Sequence, residues 1–85
     1  MEEFYEAIEE RIRQAGYRGV VDGEEIYDEI SDEIEDKENG EYILMSRQED
    51  DRYMEYYVTV LDEEFDLKRI VIHDNDDEWV VEMDE

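Results

Sequence analysis

His73 is the only histidine in the chain, and Asp74-Asn75-Asp76-Asp77-Glu78 follows it directly. Histidine beside carboxylates is the side-chain set of general acid–base catalysis, which works when a cleft tunes the reacting group. A histidine base also needs a nucleophile. The chain has no cysteine, and Ser31 and Ser46 stand in no glycine elbow. The plainer reading is a strand-end histidine among solvated acids. The same acids have the Asp-x-Asp spacing that opens an EF-hand loop. The loop glycine and the bidentate glutamate of that loop are missing, and the segment reads as a tight hairpin. Adventitious Ca²⁺ or Mg²⁺ binding is expected of so acidic a surface, a dedicated cation site is not. With no glycine-rich phosphate cradle either, the expectation is a protein without catalytic residues, resident metal or cofactor.

Charge decides more than any motif. Against 31 acids stand 8 bases, for a net charge of −23 over 85 residues. Such a field repels nucleic acid and anionic membranes and speeds encounter with basic surfaces. Arg11, Arg13, Arg18, Lys37, Arg47, Arg52, Lys68 and Arg69 are scattered, each with acids nearby, so no basic stripe remains to bind nucleic acid. Low hydropathy with high charge can signal disorder. The seven Tyr, two Phe and one Trp, set among periodic Ile and Val, argue instead for one folded domain. No apolar run approaches the roughly 20 residues of a membrane helix. MEEFYEAIEE lacks the basic region of a signal peptide. The expected location is the cytoplasm.

The elements that position these groups follow from periodicity. Phe4, Ile8, Ile12 and Ala15 form one stripe of a helix over Glu2–Ala15, with acids early, Arg11 and Arg13 late, and Gly16 as its stop. Val20-Val21 reads as a bridging turn or brief extended step. Asp22 is a good N-cap, with Glu25 completing a capping-box pattern, for a second helix from about Gly23 to Glu35. Ile26, Ile30 and Ile34 are its buried stripe, and Asn39-Gly40 ends it. From Glu41 the period becomes two. Strands are expected over 42–46, 53–61, 67–73 and 78–83, joined by QEDDR, DEEFD and DNDD. In the third strand Leu67, Arg69 and Val71 alternate with Lys68, Ile70 and Ile72. The expected fold is therefore α+β, with two helices packed on a four-stranded antiparallel meander. On the second strand Tyr53 and Tyr57 lie on one side, and Met54, Tyr56, Val58 and Val60 on the other. The tyrosines either half-cover the open face or make it a contact surface, with a homodimer as one outcome.

What remains distinctive is where the acid lies. Glu24, Asp28, Asp32 and Asp36 form one i,i+4 row along the second helix, and Glu25, Glu29 and Glu33 form another. Like charges at this spacing cost roughly 0.2–0.5 kcal/mol per pair. The strand connections add Glu49-Asp50-Asp51, Asp62-Glu63-Glu64 with Asp66, and Asp74 with Asp76, Asp77 and Glu78. In a meander the first and third of these share one end of the sheet, and the second occupies the other. A helical row sets a carboxylate about every 6 Å, against one phosphate per about 3.4 Å of a DNA strand. Two offset rows approach the charge density of one strand. An Arg- and Lys-lined surface built for phosphates would accept such carboxylates. The alternatives are a solvated face, a high-salt adaptation, or an acidic module that neutralises some other basic partner. Only two alanines among abundant Ile and Tyr weaken the high-salt account.

In size, charge, lack of cysteine and strand-rich α+β pattern, the chain resembles small phage and mobile-element inhibitors that imitate DNA. Anti-CRISPR proteins, anti-restriction proteins and uracil-DNA glycosylase inhibitors are of this type. VDGEEIYDEISDEIEDKENGEYI and SRQEDDRYMEYYVTV are also similar to small proteins carried on bacterial conjugative elements. The resemblance implies an inhibitor of a basic nucleic-acid-binding protein, with a Cas9-type CRISPR effector nuclease favoured and a restriction enzyme next. Cas9-type enzymes read the PAM with arginines and hold DNA in a basic channel. The acidic helix or the hairpin-tip carboxylates would occupy that surface, with Tyr53, Tyr56 or Tyr57 as apolar anchors.

Overall fold

A computed structural model describes residues 2–19, 21–49 and 51–83. Helix α1 spans Glu2–Gln14 and α2 spans Gly23–Ile34. Strands β1 (Gly40–Glu49), β2 (Arg52–Leu61), β3 (Glu64–Asp74) and β4 (Asp77–Glu82) form one antiparallel sheet in the order β1-β2-β3-β4. The expected α+β meander under two helices is the observed fold. The strands are longer and their connections shorter than sequence suggested. Gln48, Glu49 and Arg52 belong to strands, as do Glu64, Phe65 and Asp66. Acidic residues carry little β-propensity, but Phe65 and Leu67 must face the core, and that need extends the strand through the acids between them.

The core lies between the helices and one face of the sheet. Ile8 and Ile12 of α1, and Ile26, Ile30 and Ile34 of α2, pack over Leu44, Met54, Tyr56, Val58, Val60, Leu67, Ile70, Ile72 and Val81. The α1 stripe is shorter than its periodicity, since Phe4 and Ala15 are exposed. Phe4 instead sets its ring edge-on to Tyr27, and Tyr27 also meets Tyr5 and Phe65. This aromatic cluster ties both helices to the start of β3.

Leu67 and Ile70 both face the core although three positions apart, because β3 carries a bulge. Tyr57 pairs with Arg69 and Val58 with Leu67, so Lys68 is left out of the ladder. A bulge residue reverses the alternation of everything beyond it. The strict alternation expected over 67–72 therefore breaks at Lys68: Leu67 joins Ile70 and Ile72 on the core side, and Arg69 and Val71 face away.

Two close contacts fix the helices. The Gly23 amide donates to Glu9 Oε2 at 2.8 Å. A Cβ on Gly23 would lie 2.2 Å from the Tyr5 carbonyl oxygen, so only glycine lets α2 start against α1. Gly16, at φ 99°, ends α1 in the left-handed conformation. Val20 lies outside the described residues. Nearby Tyr17 is buried, set edge-on to Trp79 with centroids 5.0 Å apart, and closes the core beside β4.

Candidate partner-binding surface

Helix α2 begins at Asp22, whose carboxylate accepts from the amides of Glu24 (3.0 Å) and Glu25 (3.4 Å). These two acids sit favourably at the positive end of the helix dipole. Asp32 and Glu33 sit in the last turn, which has no base to offset them. Glu24, Asp28 and Asp32 form one exposed row, flanked by exposed Glu25 and Glu33. Among the described residues, ion pairs join Arg13 to Glu10, Lys68 to Asp66, Arg69 to Glu82 and His73 to Glu55, and none includes an acid of α2. Two bases lie near the helix: Arg47 lines a groove with Glu25, Asp28 and Asp32 without forming an ion pair to them among the described residues, and Lys37 lies over the Tyr42 ring at 5.5 Å. The field of the row reaches Tyr5 on α1. Its phenol is held above its ordinary pKa, first by burial and then by Glu24 and Asp28.

Two members of the sequence-derived rows depart from them. Glu29 is half-buried, and the Ser46 hydroxyl donates to its Oε1 at 2.6 Å, while Oε2 is buried without a partner. It sits between the exposed row and the isoleucine stripe, so the sheet claims it. Asp36 is exposed but lies past the helix end, in the turn after Ile34.

That turn continues the acidic surface onto the sheet. The Asn39 side chain accepts from the Asp62 amide at 2.8 Å, tying the end of α2 to the β2–β3 hairpin. Ser31, Glu35, Glu63 and Glu64 line one shallow pocket between them, with Lys37 also at its edge. Asp62 and Glu63 both have positive φ, 52° and 70°, as in a two-residue hairpin turn of type I′. The structure thus joins the exposed acids of α2, Glu35, Asp36, Glu38, Asp62, Glu63 and Glu64 into one ridge.

The other hairpins lie at the opposite end of the sheet, as the meander required. The Asn75 amide donates to the Asp51 carbonyl at 2.8 Å, joining the two tips. Asp51, Asp76 and Asp77 are exposed; Asp50 lies outside the described residues. Asp74 is engaged: its Oδ2 accepts from the Tyr17 hydroxyl at 3.2 Å, and that hydroxyl accepts from Arg52 Nη1 at 2.9 Å. Tyr17 was missed in the sequence because it stands in a linker with no periodicity.

The tyrosines do not stand beside the acids. Tyr56, expected as an anchor, is 1% exposed and sits in the core, its phenol pushed up to about 12 by burial. Tyr53 and Tyr57 lie on the sheet face turned away from the helices. Tyr53 stacks on His73 with centroids 4.3 Å apart, and Arg69 lies 5.5 Å over the Tyr57 ring. His73 Nε2 lies 2.7 Å from Glu55 Oε1. Among the described residues no group of three or more His, Cys, Asp or Glu is placed to hold a metal ion, and no helix is long and apolar enough to cross a membrane.

No family model, no curated protein and no solved structure matches the chain.

Proposed function

We propose that this protein is an acidic ligand that occupies the nucleic-acid-binding surface of a basic protein and so inhibits it. The observation that carries this reading is the exposed row Glu24, Asp28 and Asp32, which forms no ion pair among the described residues and is continuous with the carboxylates of the β2–β3 turn. Helix α2 has 12 residues and so runs about 18 Å. It presents carboxylates where a groove built for one nucleic-acid strand presents Arg and Lys. The cost of like charges along the row is offset when those bases arrive, often with bidentate Arg geometry. In line with the resemblance to DNA-imitating inhibitors, the favoured target is a defence nuclease: a CRISPR effector of the Cas9 kind, then a restriction enzyme.

The structure refines which acids to alter. Glu29 is held by Ser46, so reversing it would disturb the helix–sheet contact as well as the charge. Glu24→Lys/Asp28→Lys/Asp32→Lys changes exposed positions alone. The triple variant is expected to keep the wild-type circular dichroism and to lose nuclease inhibition at least a hundredfold. A folded triple variant that inhibits as the wild type does would remove the ridge from the mechanism.

A further inference from the structure

The sheet face turned away from the helices carries exposed apolar side chains on its two edge strands, with half-buried Glu55 and buried Val71 between them. Ile43 is 58% exposed, Met45 67% and Val80 49%. The register arranges this face in three four-strand rows, Ile43-Tyr57-Arg69-Glu82, Met45-Glu55-Val71-Val80, and Arg47-Tyr53-His73-Glu78, and a shorter fourth, Glu41-Thr59-Asp66, whose Asp66 pairs with Lys68. These rows, with Lys68, hold three of the chain's 8 bases (Arg47, Lys68 and Arg69) against five of its 31 acids (Glu41, Glu55, Asp66, Glu78 and Glu82). The face therefore carries little of the net charge of −23, which makes it the part of the surface that tolerates a second copy.

We infer that this face is a self-association surface, and that two copies pack sheet to sheet with their acidic ridges outward. The register selects the symmetry. An axis across the strands would set Glu55 against Glu55 of the second copy and Glu82 against its Glu78. An axis along the strands, passing between β2 and β3, brings β1 over β4 of the second copy and β2 over its β3. Met45 then meets Val80 of the second copy, Arg47 meets its Glu78, Tyr53 its His73, and Glu55 its Val71. No like charges face each other. Arg47 sits at the rim, where it also borders the groove beside α2.

Four strands about 4.8 Å apart, packed at about 10 Å, cover on the order of 500 Å² per copy, near the lower bound of a specific interface. The dimer is accordingly reversible. Its salt dependence has a characteristic sign. Two bodies of like net charge repel at long range, and salt screens that repulsion, so added salt tightens the dimer. Binding of the acidic ridge to a basic partner must weaken with salt. The opposite signs separate the two surfaces, and the dimer is read with the protein alone.

The test is sedimentation equilibrium of the full chain across concentration, at about 20 mM and about 500 mM NaCl, salt levels on either side of the screening regime. The expected mass rises from 10.4 kDa toward twice that value, at lower protein concentration in high salt. Met45→Asp/Val80→Asp should weaken the dimer at least tenfold with the circular dichroism unchanged, since both side chains are exposed. Arg47→Glu alone should weaken it, and Arg47→Glu/Glu78→Arg should restore it. A monomer at millimolar protein in high salt, a dimer indifferent to the Met45/Val80 pair, or a charge swap that fails to rescue would each overturn the inference, whatever the ridge binds.

Discussion

The Ser46 hydroxyl donates a 2.6 Å hydrogen bond to the Glu29 carboxylate across the gap between β1 and α2. It removes one acid from the helix surface and makes it a structural contact, while its neighbours one turn away on the exposed row stay in water. Ser46→Ala would leave a half-buried carboxylate with neither oxygen satisfied by the sheet. Loss of a buried partner costs about 1–3 kcal/mol. The expected result is a lower urea midpoint for Ser46→Ala, and a smaller loss for Ser46→Ala/Glu29→Leu, in which both polar groups are gone.

On the exposed row the sign reverses. Asp28→Asn relieves repulsion with Glu24 and Asp32, a gain of roughly 0.2–0.5 kcal/mol per pair. The urea midpoint should rise for Asp28→Asn, most at low ionic strength. The wild type itself should gain stability as salt screens its self-repulsion. A wild-type midpoint that falls with added NaCl would argue against self-repulsion as a dominant cost.

The β2–β3 turn places two acidic residues at positive φ, where Asn-Gly is the preferred pair. Asp62→Asn/Glu63→Gly should stabilise the fold by about 0.5–1 kcal/mol, measured by thermal or urea unfolding. Because Asp62 and Glu63 belong to the ridge, the same variant should bind a basic partner more weakly. Stability and binding should therefore move in opposite directions.

Burial raises the Tyr56 phenol to about 12, while an unfolded tyrosine ionises near 10. Folding thus favours the neutral phenol. That contribution is complete below pH 10 and is lost as pH rises toward 12, at roughly 1.4 kcal/mol per unit of separation. Absorbance at 295 nm should show one tyrosine ionising only as the far-ultraviolet circular dichroism collapses. Tyr56→Phe should shift the alkaline transition to higher pH. Full ionisation of every tyrosine with the fold intact would contradict the placement of Tyr56.

The elements were legible in the sequence because their periods are clean. Ile26, Ile30 and Ile34 specify a helix face, and Met54, Tyr56, Val58 and Val60 a strand face. Asp22 as N-cap and Gly16 as helix stop were readable from residue type alone. What escaped depends on neighbours distant in sequence. The bulge at Lys68 is a register event between two strands, Tyr17 is buried only because Trp79 and Arg52 arrive beside it, and Glu29 leans inward only because Ser46 faces it. The acidic rows were plain in the sequence, and their continuation into Asp62, Glu63 and Glu64 was not. That continuity rests on one hydrogen bond from the Asp62 amide to Asn39. Strand alternation places Tyr53 and Tyr57 on their own side of β2, but only the packing of α2 on the other side shows that acids and tyrosines cannot share one flat contact.

The claim that the ridge stands in for nucleic acid is tested most directly by competition. Immobilised protein is incubated with a lysate containing restriction and CRISPR enzymes, the captured protein is identified, and its affinity is titrated against salt with and without duplex DNA. The expected partner is a basic nucleic-acid-binding protein whose log affinity falls steeply and linearly with log salt, whose binding is displaced by DNA and is lost in Glu24→Lys/Asp28→Lys/Asp32→Lys. A captured partner that binds DNA and this protein at the same time, with little dependence on salt, would contradict it.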